Sequence, residues 1–443
     1  MKMILYPDMY LRNFFIGCYS FLFLSTSVQA QQTVVGKGWA QTSVNAVVFR
    51  KNSIATDNNI QYVAYYDSAA RVVLARRTLP DGPWEVKATQ YSGKVTDAHN
   101  MISIMVDGEG YLHMSWDHHN NALHYCKSVE PGSLELTDML TMTGKEADVT
   151  YPEFHRLPSG DLIFMYRNGE SGRGNLSMNR YDVKSKTWKR LHSILIDGEN
   201  QRNAYWQACI DTKGTIHVSW VWRETWDVGT NHDLCYARSR DGGVTWEKST
   251  GEKYVLPINA KTAEYACLIP QQSELINQTS MFADQRGFPY IATYWRKENS
   301  EVPQYFLVYR DSKGWKVQQV SKRATPFSLS GGGTKKIPIS RPQIVVWNQK
   351  KKVKAVMIYR DAERDYKVSV ATNNNIGKDD WQYKDLTSYS VGDWEPSYDT
   401  ELYKKSGALH LYVQRVGQGD GEKSEKLPAQ DVIVLEYDLG IKK

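Results

Sequence analysis

The 443 residues predict an all-β chain, a seven-bladed β-propeller of antiparallel four-stranded blades, on two observations. The first is a phrase written twice: "GYLHMSWDHH" at 110–119 and "GTIHVSWVWR" at 214–223 share a Gly, a His three residues on, and then Ser-Trp. Looser copies read "NIQYVAYYD" (59–67), "GDLIFMYR" (160–167), "GFPYIATYWR" (287–296), "KVKAVMIYR" (352–360) and "GALHLYVQR" (407–415), which makes seven, spaced between about 50 and 73 residues apart. A fixed internal period of this length is the signature of a repeat architecture. The second observation is the period within each copy, which alternates apolar and polar residues for six to eight positions, as a strand does.

Each copy is preceded by a turn signal, such as Asp107-Gly108, Pro158-Ser159-Gly160 or Gln285-Arg286-Gly287. Before each turn lies another apolar strand, as in "MISIMVD" (101–107) and "WQACID" (206–211). A third strand follows several copies, for example "LHYCKS" (123–128), "LSMNRYD" (176–182) and "LCYARS" (234–239), and a Trp often comes next. Three or four antiparallel strands repeated seven times close into a propeller. No long amphipathic helix interrupts the pattern. The stretch "SRDGGVTW" (239–246) has the form Ser-x-Asp-x-Gly-x-Thr-Trp, the Asp-box of sialidase-type propellers, which speaks for scaffold and is silent about activity.

Composition narrows the rest. The chain is 12% aromatic and 23% charged, with formal charge +6, which suits an anionic ligand but lacks the Lys/Arg blocks of a nucleic-acid binder. Arg12, the apolar run 14–28 and the small-x-Ala ending Val28-Gln29-Ala30 read as a signal peptide, residues 1–30, leaving 31–443 as one propeller domain. The mature protein is expected to be secreted and monomeric, without a membrane span. Cys126, Cys209, Cys235 and Cys267 form no disulfide framework, and the spacing of His232, Cys235 and Cys267 is not diagnostic of zinc.

In a propeller the start of a blade's first strand and the end of its second meet on one face. In blade two that rule makes His99 and His119 neighbours at one rim of the channel, although they are 20 residues apart. Only this blade carries such a pair, and a repeat that breaks its own pattern is where function is grafted. The same rim takes Asn45 from blade one, Asn203 and Arg223 from blade four, Tyr166 and Arg167 from blade three, and Arg296, Arg360 and Arg415 from later blades. Asn100, His118 and Tyr205 are assigned to substrate binding beside them. His113, His217 and His410 fall inside strands and are expected in the core, while Arg180 and Arg238 align with Lys127 as repeat scaffold.

A cationic, aromatic rim poor in carboxylates does not suit glycoside hydrolysis, which normally wants two acids across the scissile bond. β-Elimination from a uronic acid fits better: a cation neutralises the carboxylate, a base takes the C5 proton, and an acid protonates the leaving oxygen. On "DAHNMISIMVDGEGYLHMSWDHHNNALHY" (97–125) and "GDLIFMYRNGESGRGNL" (160–176) the chain resembles the BNR-repeat propellers, and within them the ulvan lyases of polysaccharide lyase family 25. That resemblance implies cleavage of an anionic algal polysaccharide of rhamnose 3-sulfate and uronic acids, giving an unsaturated uronyl end. It implies His99 and His119 as the catalytic His pair, Tyr166 as the catalytic Tyr and Arg223 as the neutralising Arg, with Arg180 the alternative. No cofactor is required, and a structural Zn or Ca ion is compatible with the family. The rivals are a hydrolase on the same scaffold and a non-catalytic glycan-binding propeller.

Overall fold

The computed structural model describes Met1 and residues 30–47, 52–278 and 280–441; the leader expected at 1–30 lies almost wholly outside them. Seven antiparallel sheets follow one another along the chain, each paired strand to next strand. Blade one spans Ile54–Asp57, Ile60–Tyr66, Arg71–Thr78 and Glu85–Ser92. Blade four spans Asn203–Ile210, Ile216–Arg223, Asn231–Ser239 and Glu264–Cys267. Blades five and six also have four strands, and blade seven is completed by the N-terminal strand Gln31–Gly38, which pairs along Gln430–Tyr437.

Two blades depart from four strands. Blade two holds three, Ile102–Val106, Leu112–Trp116 and Tyr125–Lys127. Its missing length has crossed over: His119–Asn121 pairs with the first strand of blade three, Val149–Arg156, and makes that sheet five-stranded. Asp117 (φ 62°) and Asn120 (φ 60°) turn the chain there through the left-handed region, which short polar side chains tolerate best. The only α-helix among the described residues is Thr400–Ser406, and no described helix is long and apolar enough to cross a membrane.

Packing occurs between blades as well as within them. Trp206, Trp220, Trp222 and Trp246 are fully buried in one cluster with Met178, Leu234 and Tyr236. The Asp-box earns its place in that packing. Asp241 accepts from the Thr245 amide (2.9 Å) and hydroxyl (2.6 Å), and the Trp246 indole donates to the Gly243 carbonyl at 3.1 Å. Gly243 has φ 96°, and a Cβ there would come within 2.6 Å of Met178 Cε in blade three, so a side chain is excluded on both counts.

The doubled phrase is also scaffold. His113 bonds Asp107 (3.1 Å) and the Tyr125 hydroxyl (2.7 Å); His217 bonds Asp211 (3.3 Å) and the Tyr236 hydroxyl (2.7 Å). In each case the Asp also accepts amides of its own hairpin turn, so one carboxylate ties turn, second strand and third strand together. Both histidines are completely buried. His113→Ala strands a buried carboxylate and a phenol and opens a cavity, a combined cost of about 3–5 kcal/mol. Urea unfolding should show it as a lower midpoint at unchanged slope.

Candidate active site

The blade-two hairpin pairs Ile102 with Trp116 and Val106 with Leu112. Continued outward by three residues, that register sets His99 opposite His119. The two imidazoles stack with centroids 4.0 Å apart and planes 14° from parallel. One carboxylate holds both: Asp97 Oδ1 lies 2.8 Å from His99 Nδ1, and Asp97 Oδ2 lies 2.7 Å from His119 Nδ1. A second carboxylate, Glu422 from the blade-seven end of the chain, stands 3.1 Å from His99 Nδ1. Glu422 also accepts from the Ala98 and Thr334 amides, so it fixes two loops against the pair.

These contacts split the charge states. Burial alone would lower His99, but Asp97 and Glu422 outweigh it and push it up to about 9. Burial holds His119 below the usual imidazole value; Asp97 pulls the other way, and the charge on His99 adds to the lowering. Burial would raise Asp97, yet the hydrogen bonds from His119 and His99 hold it well below the usual carboxylate range. Near neutral pH the pair therefore carries one proton charge, on His99. With Nδ1 bound to Asp97, His119 presents Nε2 to the pocket.

Across the pocket stand two phenols and two guanidiniums. Tyr151 occupies a bulge in Val149–Arg156, with φ 57°, where a non-glycine residue is held only by its surroundings. Its ring lies 5.6 Å from His99 and 6.0 Å from Tyr205, centroid to centroid. Tyr205 projects from the first strand of blade four, beside the register pair Asn203–Arg223. Three groups converge on its oxygen: Asn203 Nδ2 at 3.4 Å, Ser171 Oγ at 3.3 Å and Arg167 Nη1 at 3.5 Å. The Arg223 guanidinium sits 5.4 Å from the centre of its ring. Burial would raise this phenol, but Arg223 and then Arg167 reverse the effect and bring it down to about 7. Tyr151 is pushed up instead, by burial and then by the neighbouring Tyr205.

Arg341 and Lys335 add to the lining, and among the described residues no Asp or Glu lines the pocket. Each cation is itself oriented. Arg341 is bound by Glu395 (2.7 and 2.8 Å), Lys335 by Asp420 (2.7 Å), Arg167 by Thr150 and the Gly169 carbonyl, and Arg223 by the carbonyls of Thr225 and Trp226. The pocket is thus a preorganised anion site with an acid-and-base pair of faces.

Of the residues expected from sequence, His99, His119, Arg167, Tyr205 and Arg223 meet here, with Asn203 behind Tyr205. The others do not. Tyr166 points to the opposite side of its strand from Arg167, fully buried against Phe164 and the Arg190 guanidinium, because alternate residues of a strand face opposite ways. Asn45 clasps the Trp39 and Tyr66 backbones, and Asn100 bonds the Lys94 carbonyl. His118 is buried, accepts the His124 amide at 3.0 Å and is lowered to about 3, chiefly by desolvation. Arg296 clamps Glu274 and two loop carbonyls, and Arg360 donates to the carbonyls of Trp394 and Ile337. Arg180 pairs with Asp161 as scaffold. Asp97, Glu422, Ser171, Lys335 and Arg341 were missed because they lie in loops outside the repeated strands, and Tyr151 because a bulge in its strand sets its direction.

Among the described residues the cysteines join no metal-ligating cluster. The four cysteines at 126, 209, 235 and 267 form no disulfide; burial pushes the Cys235 thiol up and the Cys267 thiol to about 11, and His232 is held by Glu224 and Asp233. Among the described residues, the His, Cys, Asp and Glu groups whose ligand atoms converge are Asp97, His99 and His119. Both Nδ1 atoms there are engaged in hydrogen bonds of 2.7–2.8 Å to separate Asp97 oxygens.

Fold and site together define a β-propeller with a basic, tyrosine-bearing pocket at one rim of its channel. The chain belongs to the BNR repeat-containing family, whose model matches residues 60–323. It is 21% identical over 272 residues to the ulvan lyase PL25 of Pseudoalteromonas sp. (strain PLSV), a match covering 53% of this chain and about half, 55%, of that relative. Its fold is that of the PL25 ulvan lyase structure (TM-score 0.67, 16% identity, 87% of this chain and 97% of that one). The polysaccharide lyase Uly1 is equally similar (TM-score 0.67, 14% identity, 92% and 99%). A PL25 ulvan lyase has also been solved bound to -[GlcA(1-4)Rha3S]- (TM-score 0.66, 16% identity, 87% and 97%).

Proposed function

We propose that this protein is an exported polysaccharide lyase that cleaves ulvan by β-elimination at a uronate. The observation that carries the reading is the opposition of an acidified phenol, Tyr205, to a charged imidazole, His99, in a pocket lined by guanidiniums and, among the described residues, by no carboxylate. The names and folds of the relatives support the substrate class, and the leader-like residues 1–30 support export.

In this reading Arg223, Arg167 and Arg341 bind the uronate carboxylate and stabilise the enolate-like charge that develops on it. The Tyr205 phenolate takes the C5 proton. The C5–H electron pair forms the C4–C5 double bond, the C4–O4 bond breaks, and O4 takes the proton of the His99 imidazolium. His119 stacks on His99 and orients the sugar through Nε2. Asp97 holds the charged His99 ring in place and keeps neutral His119 in the tautomer protonated at Nδ1.

Mixing the protein with ulvan should raise the ultraviolet absorbance of an unsaturated uronate, and His99→Asn should remove the rise. New reducing ends without that absorbance would mean a hydrolase. Polymer bound at unchanged length would mean a lectin.

A further inference from the structure

Trp226 is the sole exposed tryptophan among the described residues, at 63%, and it lies in the loop between Arg223 and Val228, both of which line the pocket. Large exposed indoles are unusual unless something covers them. This one is unusually well placed to be covered. Its carbonyl accepts from Arg223 Nη2, so the backbone bearing it is the same backbone that orients a cation of the site. Asp227, the next residue, accepts from the Gly229 amide at 2.8 Å and from the Gly331 amide at 2.7 Å, which ties the loop to the glycine run Gly331–Gly333.

That glycine run lies against the indole. A Cβ on Gly332 would approach Trp226 Cε3 to 3.0 Å, and Gly333 and Thr334, which follow, line the pocket. On the other side, a Cβ on Gly172 would meet the Thr225–Trp226 backbone at 3.3–3.4 Å, next to the Ser171 that touches Tyr205. The Trp226 backbone is therefore held by the approach of Gly172 and by the Arg223 guanidinium, and the indole lies along Gly332 while most of its surface stays open. A flexible surface residue needs none of this bracing; a preorganised apolar plane does.

We infer that Trp226 is a sugar-stacking platform that receives the apolar face of a pyranose ring next along the chain from the uronate in the pocket. This rests on the reading of the pocket as a site for an anionic polysaccharide. A pyranose ring presents a face of C–H bonds edged by hydroxyls, and an aromatic plane takes that face while polar neighbours take the rim. The guanidiniums hold the uronate and the indole takes the C–H face of the neighbouring sugar, so the two together set the register of an alternating polymer.

The test uses Trp226→Ala and Trp226→Phe in the full chain, with ulvan and with the shortest oligosaccharide the protein cleaves. For Trp226→Ala, KM on the polymer should rise about tenfold, with kcat moving far less, as loss of one aromatic contact predicts. Trp226→Phe should recover most of the loss. An unchanged KM on the polymer would overturn the platform, and so would a fall in kcat at constant KM, which would mean the residue acts only through Arg223. Retardation of the protein in gels containing ulvan gives a readout independent of turnover. If the wild type turns over nothing but is retarded, and Trp226→Ala is not, the platform stands while the lyase reading falls. Equal retardation of the two overturns the platform alone.

Discussion

Tyr205→Phe should lower kcat on ulvan by about 10³-fold while leaving the fold and most polymer binding intact. The substitution deletes one oxygen, the one on which Asn203, Ser171 and Arg167 converge. General base catalysis contributes roughly 10²–10⁴-fold, so the loss falls in that range. The wild-type pH profile carries a second signature of the same assignment. Tyr205 acts as phenolate, so its limb rises through about pH 7; His99 acts as imidazolium, so its limb falls through about pH 9. The result is a bell with its maximum near pH 8. A Tyr205→Phe enzyme within tenfold of wild type would remove the phenol from the chemistry, and attention would pass to His119 as base.

Asp97→Asn should cost about 10²–10³-fold in kcat, although Asp97 touches no substrate in the mechanism above. Its two oxygens each hold an Nδ1, and an amide in their place offers one donor and one acceptor, so one imidazole is forced to the wrong tautomer. His99 keeps Glu422 as its remaining carboxylate, so its pKa falls without collapsing and the alkaline limb moves to lower pH. That displacement separates a positioning role from simple loss of structure. Asp107→Asn offers the contrast: it breaks the equivalent scaffold bond to His113, and it should lower thermal stability with the limbs unmoved. An Asp97→Asn profile with its alkaline limb still near pH 9 would overturn the assignment of the imidazolium.

The blade count and the His99–His119 juxtaposition were legible because both follow from the strand period. Asn203 opposite Arg223 was legible for the same reason. Tyr166 was misplaced by one step of that period: in "MYRN" the phenol and the guanidinium take opposite faces, and only Arg167 reaches the rim. Asn45 and Arg360 occupied plausible strand-end positions, yet their side chains bond to backbone instead of turning outward. Tyr151 depends on a bulge, and Glu422 and Lys335 depend on long loops brought together across the ring. Such meetings are tertiary facts, without a local pattern to announce them. Asp97 stood two residues from His99 in plain view; the signal was the "DAHN" spacing, which places an acid within reach of the ring.

The strand Gln31–Gly38 clasps Gln430–Tyr437, joining residues about 400 positions apart. Closing a loop of that length costs an unfolded chain about 5 kcal/mol in entropy. The seam therefore forms late, once the other blades have shortened the effective loop, and it is the joint whose opening unravels the ring from an edge. The pocket feels that joint directly, because Glu422 belongs to the stretch between the last two strands of the clasped blade. Proton affinity at His99 is thus a reporter of ring closure: in a chain with an open seam it should fall to what Asp97 alone sustains, with the blades still in place.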